Sequence, residues 1–120
     1  MAKSRAELMQ YAQREYAEVE GVRLQSLTEL ELSDLRAIWG KRYAKDKDID
    51  MVMRRELLVR TIVDDSGERI FANSETDVLA GWRSQVTETL HEAARKLCGL
   101  DVSESVAEAE KKSGTATAIA

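Results

Sequence analysis

The chain holds one histidine, His91, and one cysteine, Cys98, the two side chains with most to offer chemistry. Helical spacing puts His91 beside Thr87, Glu88 and Arg95, with Cys98 about two turns, roughly 10 Å, further along the axis. That is too far for a thiolate–imidazole pair on one helix, and zinc needs three or four ligands. His91 therefore reads as a surface histidine in a charged face, and Cys98 as a small apolar residue near a helix end. A lone cysteine excludes a disulfide within the chain. Asp46, Asp48 and Asp50 imitate a calcium loop, but Met51 stands where the sharp turn needs glycine. Leu57 stands where a glutamate would grip the ion with both oxygens. The run reads instead as a solvated linker, with Asp50 capping the next helix. Gly67 and Gly81 are isolated, so no phosphate-binding loop is present. Acidic pairs such as Glu29/Glu31 and Glu108/Glu110 have the spacing of solvated helix faces, with no apolar pocket to raise a pKa. The expectation is no catalytic residue, no cofactor, no metal and no enzymatic activity.

Arg54, Arg55 and Arg60 lie near Lys41, Arg42, Lys45 and Lys47 in sequence, which raises nucleic-acid binding as an alternative. Asp34, Asp46, Asp48, Asp50 and Glu56 are interleaved with them, and no set of stacking aromatics accompanies them. A net charge of −4 adds no general pull toward nucleic acid or an anionic membrane. No nucleic acid and no membrane are expected as partners. The N-terminal sequence has no apolar run of signal-peptide type, and no stretch approaches the roughly 20 apolar residues of a membrane span. A soluble cytosolic chain is expected.

These residues must be positioned by helices, since proline is absent and hydrophobic residues make up 43% of the chain. Aromatic residues are only 5%, so aliphatic side chains must fill the core. The predicted fold is mainly α: a small domain of four to five helices with one short turn or hairpin-like segment near residues 62–72. Ser4 and Glu7 have capping-box spacing, which predicts a first helix over about 5–20, loosely packed and ending near Gly21. Residues 22–27 read as one brief strand or an extended linker. Thr28 and Glu31 open a second helix over about 29–44, with Leu32, Leu35, Ile38 and Trp39 on its apolar stripe. A third, more buried helix covers about 50–62. The turn Asp64-Asp65-Ser66-Gly67 follows, with Gly67 suited to positive φ and Phe71 as a plug. A long helix from about Val78 to Cys98 carries Leu79, Trp82, Val86, Leu90, Ala94 and Leu97. Gly99 is its stop, and Leu100 the apolar contact that follows such a stop. A last helix over 103–112 completes a single domain, 1–112, and residues 113–120 read as a disordered tail. Trp39, Gly67, Phe71, Leu79 and Trp82 are the candidate structural or interface residues. For the two tryptophans core packing is the default and an interface anchor the sharper reading.

The order of these features resembles the tail assembly chaperone family of long-tailed bacteriophages. The resemblance covers residues 22–101. It rests on Leu27, Thr28 and Glu31, on Asp64, Gly67 and Phe71, on the Thr76–Leu79 region, and on the close Leu97–Leu100. Cys98 stands where asparagine is common in the family, and Asp77-Val78-Leu79 is tighter than the usual spacing. The resemblance implies a mainly helical, non-enzymatic protein that binds the tape measure protein and assists assembly of tail tube protein around it. It also implies self-association as a homo-oligomer, action in the host cytoplasm and absence from the mature virion. Many members have a longer form made by ribosomal frameshifting, with which Lys111-Lys112 is compatible. The alternatives are a small helical nucleic-acid-binding regulator, or another phage factor such as a scaffold or head–tail adaptor.

Overall fold

A computed structural model describes residues 2–43, 45 and 47–100. In chain order the α-helices and strands are α1 (Arg5–Leu8), β1 (Tyr16–Val19), β2 (Val22–Gln25), α2 (Glu29–Arg42), α3 (Ile49–Thr61), β3 (Ile62–Val63), α4 (Thr76–Ala80) and α5 (Ser84–Leu97). Short 3₁₀ turns cover Met9–Ala12 and Asn73–Glu75. The domain is therefore mixed α/β and not mainly α, because three strands form an antiparallel sheet in the order β1-β2-β3. The last helix expected over 103–112 and the tail over 113–120 lie outside the described residues.

The largest correction is at the N-terminus. Ser4 and Glu7 do form the reciprocal capping box, but the helix they start ends at Leu8 and buries nothing. A helix this short has no packing to sustain it. The chain then extends into β1, where Ala17 and Val19 turn inward and Tyr16 and Glu18 outward. Glu20, expected as the last residue of a helix, and Gly21, expected near its end, take φ of 54° and 75°. Positive φ at both central residues is the mark of the two-residue hairpin turn whose twist suits antiparallel strands. It pairs Val19 with Val22 and Ala17 with Leu24.

The core gathers on α3. Its second half, Glu56 through Thr61, is buried, and the chain passes without a loop into buried Ile62 and Val63 of β3. Leu24 of β2 pairs with Ile62, and both lie in the core with Leu58, Val59, Leu79, Leu90 and Ala94. Helix α5 packs against α3 and across β1 and β2. A helix end buried this way leaves carbonyls that water cannot reach. Side chains from elsewhere supply the donors. Arg69 Nε and Nη2 donate to the Val59 carbonyl at 3.2 and 2.8 Å, and Gln25 Nε2 donates to that of Arg60 at 2.9 Å.

The polar turn after β3 delivers Arg69. Asp64 Oδ1 accepts from the Ser66 amide, the Ser66 hydroxyl and the Glu68 amide at 2.7–3.0 Å. Gly67 takes φ +86°, and a Cβ there would lie 3.1 Å from the Tyr16 hydroxyl. The turn closes with an antiparallel bridge between Val63 and Arg69, so the segment is a minimal hairpin. Phe71 beyond it is half-buried rather than a sealed plug, and its ring meets Trp82 edge-on at 5.8 Å.

Two other expectations change. The long helix from about Val78 to Cys98 is two helices, α4 and α5, broken at Gly81-Trp82-Arg83, where Arg83 is extended. The break frees Trp82 from the α5 stripe and turns it toward Phe71. Asp50 does not cap α3 but lies in its first turn. Asp48 holds the cap position, with no side-chain hydrogen bond.

Replacing Arg69 with Met keeps most of the stem but orphans a buried carbonyl. Arg69→Met is expected to cost about 1–3 kcal/mol in urea unfolding, and an unchanged midpoint would refute the capping role. Phe71→Ala is expected to cost about 2 kcal/mol, less than the roughly 3–5 of a fully enclosed ring, measured the same way.

Candidate interaction site

Helix α2 begins with a complete capping box. Glu31 accepts from the Thr28 amide at 2.8 Å, and the Thr28 hydroxyl accepts from the Glu31 amide. Arg14 grips the same carboxylate with both terminal nitrogens at 2.7 and 3.1 Å and also donates to the Ser26 carbonyl. The Arg14 hydrogen bonds, helped by those from Thr28, hold the Glu31 carboxyl down at about 2. This anchors the start of α2, yet only Leu35 of the helix is buried. Much of its apolar stripe is left to line the surface.

That surface is a groove of about 320 Å³ among α2, α3 and the end of α5. Leu35, Trp39, Met53, Leu57 and Leu100 make its walls, and Arg36, His91 and Arg95 its rim. Trp39 is 43% exposed and stacks at a tilt on Tyr43, 59% exposed, with ring centroids 4.5 Å apart. An exposed tryptophan lining an apolar cleft is a residue type that anchors protein interfaces.

A larger cleft of about 640 Å³ lies alongside, sharing Met53, His91 and Arg95 and adding Asp50, Arg54, Glu88 and Glu92. Its charges are mixed. Burial first, then the guanidiniums of Arg54 and Arg95, push the His91 pKa down to about 4 despite Asp50. An imidazole held so low is a weak general base. The surface histidine expected from sequence is thus half-buried and neutral. Burial raises the Cys98 thiol, which packs against the core as a small apolar group. Among the described residues no group of three or more His, Cys, Asp or Glu is placed to hold a metal ion. No described helix is long and apolar enough to cross a membrane.

The five candidate residues separate. Leu79 is 1% exposed and belongs to the core. Gly67 makes the turn. Phe71 and Trp82 come together and line a second apolar cleft of about 320 Å³ beside Val22, Ile62 and Ile70. Trp39 stands apart from the other four, in the α2 groove. Sequence reasoning missed Arg36, Met53 and Leu100 as its companions. The available signal was the spacing of four from Leu35 to Trp39 and from Trp39 to Tyr43, an aromatic stripe longer than one buried leucine requires. Two members of the basic group near residues 41–60 are turned to one carboxylate. Arg60 is buried on Glu56 at 2.9 Å, and Arg42 approaches the same carboxylate at 3.8 Å.

Comparisons of this chain with protein-family models, with curated proteins and with solved structures found no match.

His91 and Glu31 both tie stability to pH in the same direction. A histidine whose folded pKa is lowered to about 4 binds its proton more readily when unfolded. Stability is therefore expected to fall as pH drops from about 6.5 toward 4. His91→Gln should flatten that interval in urea titrations. Glu31, lowered to about 2, should leave a separate loss from about 4.5 downward. A native profile already flat between pH 6.5 and 4.5 would contradict the burial of a neutral His91.

Proposed function

We propose that this chain is a non-enzymatic assembly chaperone of a long-tailed bacteriophage that shields an apolar helical segment of the tape measure protein while tail tube subunits assemble. The observation that carries the reading is the Trp39 groove, an apolar cleft lined by one exposed tryptophan, with Arg36 and Arg95 also in its lining. Its walls suit one face of an amphipathic helix, read through anchors spaced three and four residues apart. The residues that carry the family resemblance support the reading in a different way. Thr28, Glu31, Asp64 and Gly67 set caps and turns, and Leu97–Leu100 shape the end of α5, so they speak for a shared framework and the groove speaks for the activity. The N-terminal segment offers a further apolar surface, with Leu8, Met9 and Tyr11 at least half exposed, and fits self-association of the chain as a homo-oligomer. Action in the host cytoplasm and absence from the mature virion belong to the same proposal.

Affinity capture of the tagged protein from cells producing the phage, read by mass spectrometry, tests it. The long helical tail protein should be recovered, and Trp39→Ala should weaken its binding about 30-fold or more with no change in melting temperature. Capture of nucleic acid released by salt would favour the regulator instead. Capture of capsid proteins would favour a scaffold or head–tail adaptor.

A further inference from the structure

An apolar arm and an apolar cleft lie toward opposite ends of the sheet. The arm is residues 2–12. Its helix α1 and the 3₁₀ turn after it bury no residue, and Leu8, Met9 and Tyr11 stand in solvent. Its charged residues are Lys3, Arg5 and Glu7, a net of one positive charge. Lys3 Nζ donates to the Tyr11 hydroxyl at 2.6 Å, a neutral partner that leaves the ammonium charge uncompensated. The cleft is the one lined by Phe71 and Trp82, with Val22 and Ile62 beside them and Ile70 53% exposed. Its charged residues are Asp64, Asp65 and Arg23, a net of one negative charge. Arg23 is already engaged, lying over the Tyr16 ring at 4.4 Å and donating to the Asp65 carbonyl at 3.3 Å. The Asp64 carboxylate accepts from amides and a hydroxyl, which do not cancel its charge.

The arm is fastened away from the cleft of its own chain. It leaves the sheet at Tyr16, which pairs with Gln25, and there Arg14 is held by the Glu31 carboxylate and the Ser26 carbonyl. The cleft lies toward the other end of the same strands, where Val22 follows the hairpin turn and Arg23 pairs with Val63. Its lining begins at Gly21 and includes no residue of the arm. Apolar surface meets apolar surface and opposite charge meets opposite charge only when the arm comes from a different molecule. We propose that two copies of this chain exchange arms, Leu8 and Met9 of each entering the Phe71–Trp82 cleft of the other, with Lys3 and Arg5 toward Asp64 and Asp65. Each copy gives one arm and receives one, so a twofold axis closes the pair and leaves no open end for further growth. The exchange rests on the self-association part of the reading above and is independent of client binding in the Trp39 groove.

The exchange is tested on the full chain with Trp39→Phe, which leaves Trp82 as the sole tryptophan. Sedimentation should show a concentration-dependent dimer, and acrylamide quenching of Trp82 should fall about twofold as the dimer forms and the cleft fills. Arg5→Glu and Asp65→Lys should each weaken the dimer about fivefold, and the two together should restore it. Leu8→Ser with Met9→Ser removes apolar groups that the single chain does not bury. It should abolish the dimer and leave the melting temperature of the dilute monomer unchanged. A chain that stays monomeric at every concentration would overturn the exchange and the homo-oligomer reading together. A dimer that all these variants leave intact would overturn the exchange alone and assign self-association to another surface. Protection of Trp82 that does not depend on concentration would overturn it in favour of the chain's own arm.

Discussion

The buried end of α3 is the constraint that the rest of this domain answers. A helix that stops at the surface hands its last carbonyls to water, whereas α3 stops inside the core and continues as β3. Its carbonyls need donors from other parts of the chain. Gln25 reaches the Arg60 carbonyl only because β2 lies beside β3 in a register that pairs Leu24 with Ile62. Arg69 reaches the Val59 carbonyl only because the Asp64 turn brings the chain back within a few residues. The sheet and the hairpin are thus conditions for burying α3. Arg69 gives up part of its hydration to do this, and that partial burial, with the nearby Arg60 charge, lowers its pKa.

Much of this was legible where the determinants are local. The Thr28 and Glu31 box, the Asp64–Gly67 turn and the Gly99 stop are each made by residues within a few positions of one another. The structure has all three. The first strand was not legible, because Ser4 and Glu7 send a true helix-start signal and Tyr11, Ala12, Glu15, Tyr16 and Val19 continue with near-helical spacing. What decides against a helix is the burial of Ala17 and Val19 beside β2, a nonlocal gain. The Glu20-Gly21 pair between two valines was the sign to weigh. The break at Gly81 was masked in the same way, since the apolar stripe keeps its period across it. Arg69 could not be singled out at all, because its partner is a carbonyl whose isolation depends on the whole core.

The interaction surface shows the converse limit. Periodicity marks which residues share a face but not whether anything covers it. Leu79 and Trp39 both sit on apolar stripes, yet one is sealed under α3 and the other is open. The difference comes from how far each helix is drawn into the core. Helix α2 is held at its start by Arg14 and Glu31 and buries a single leucine, so its later turns stand clear. An exposed tryptophan follows from where the helix is fastened, which composition does not reveal.

The unbroken passage from α3 to β3 also sets the order in which the domain can assemble. β1 and β2 are neighbours in sequence and close through a two-residue turn, a contact that forms fast and alone is only marginally stable. The third strand comes from far along the chain, and its pairing must close a long loop. Because that strand is the extension of α3, the helix cannot seat its buried half without completing the sheet, and the sheet cannot be completed without seating the helix. The two behave as one cooperative unit, with α1 outside it, so partial unfolding begins at the N-terminal segment and reaches the sheet only when the whole domain opens.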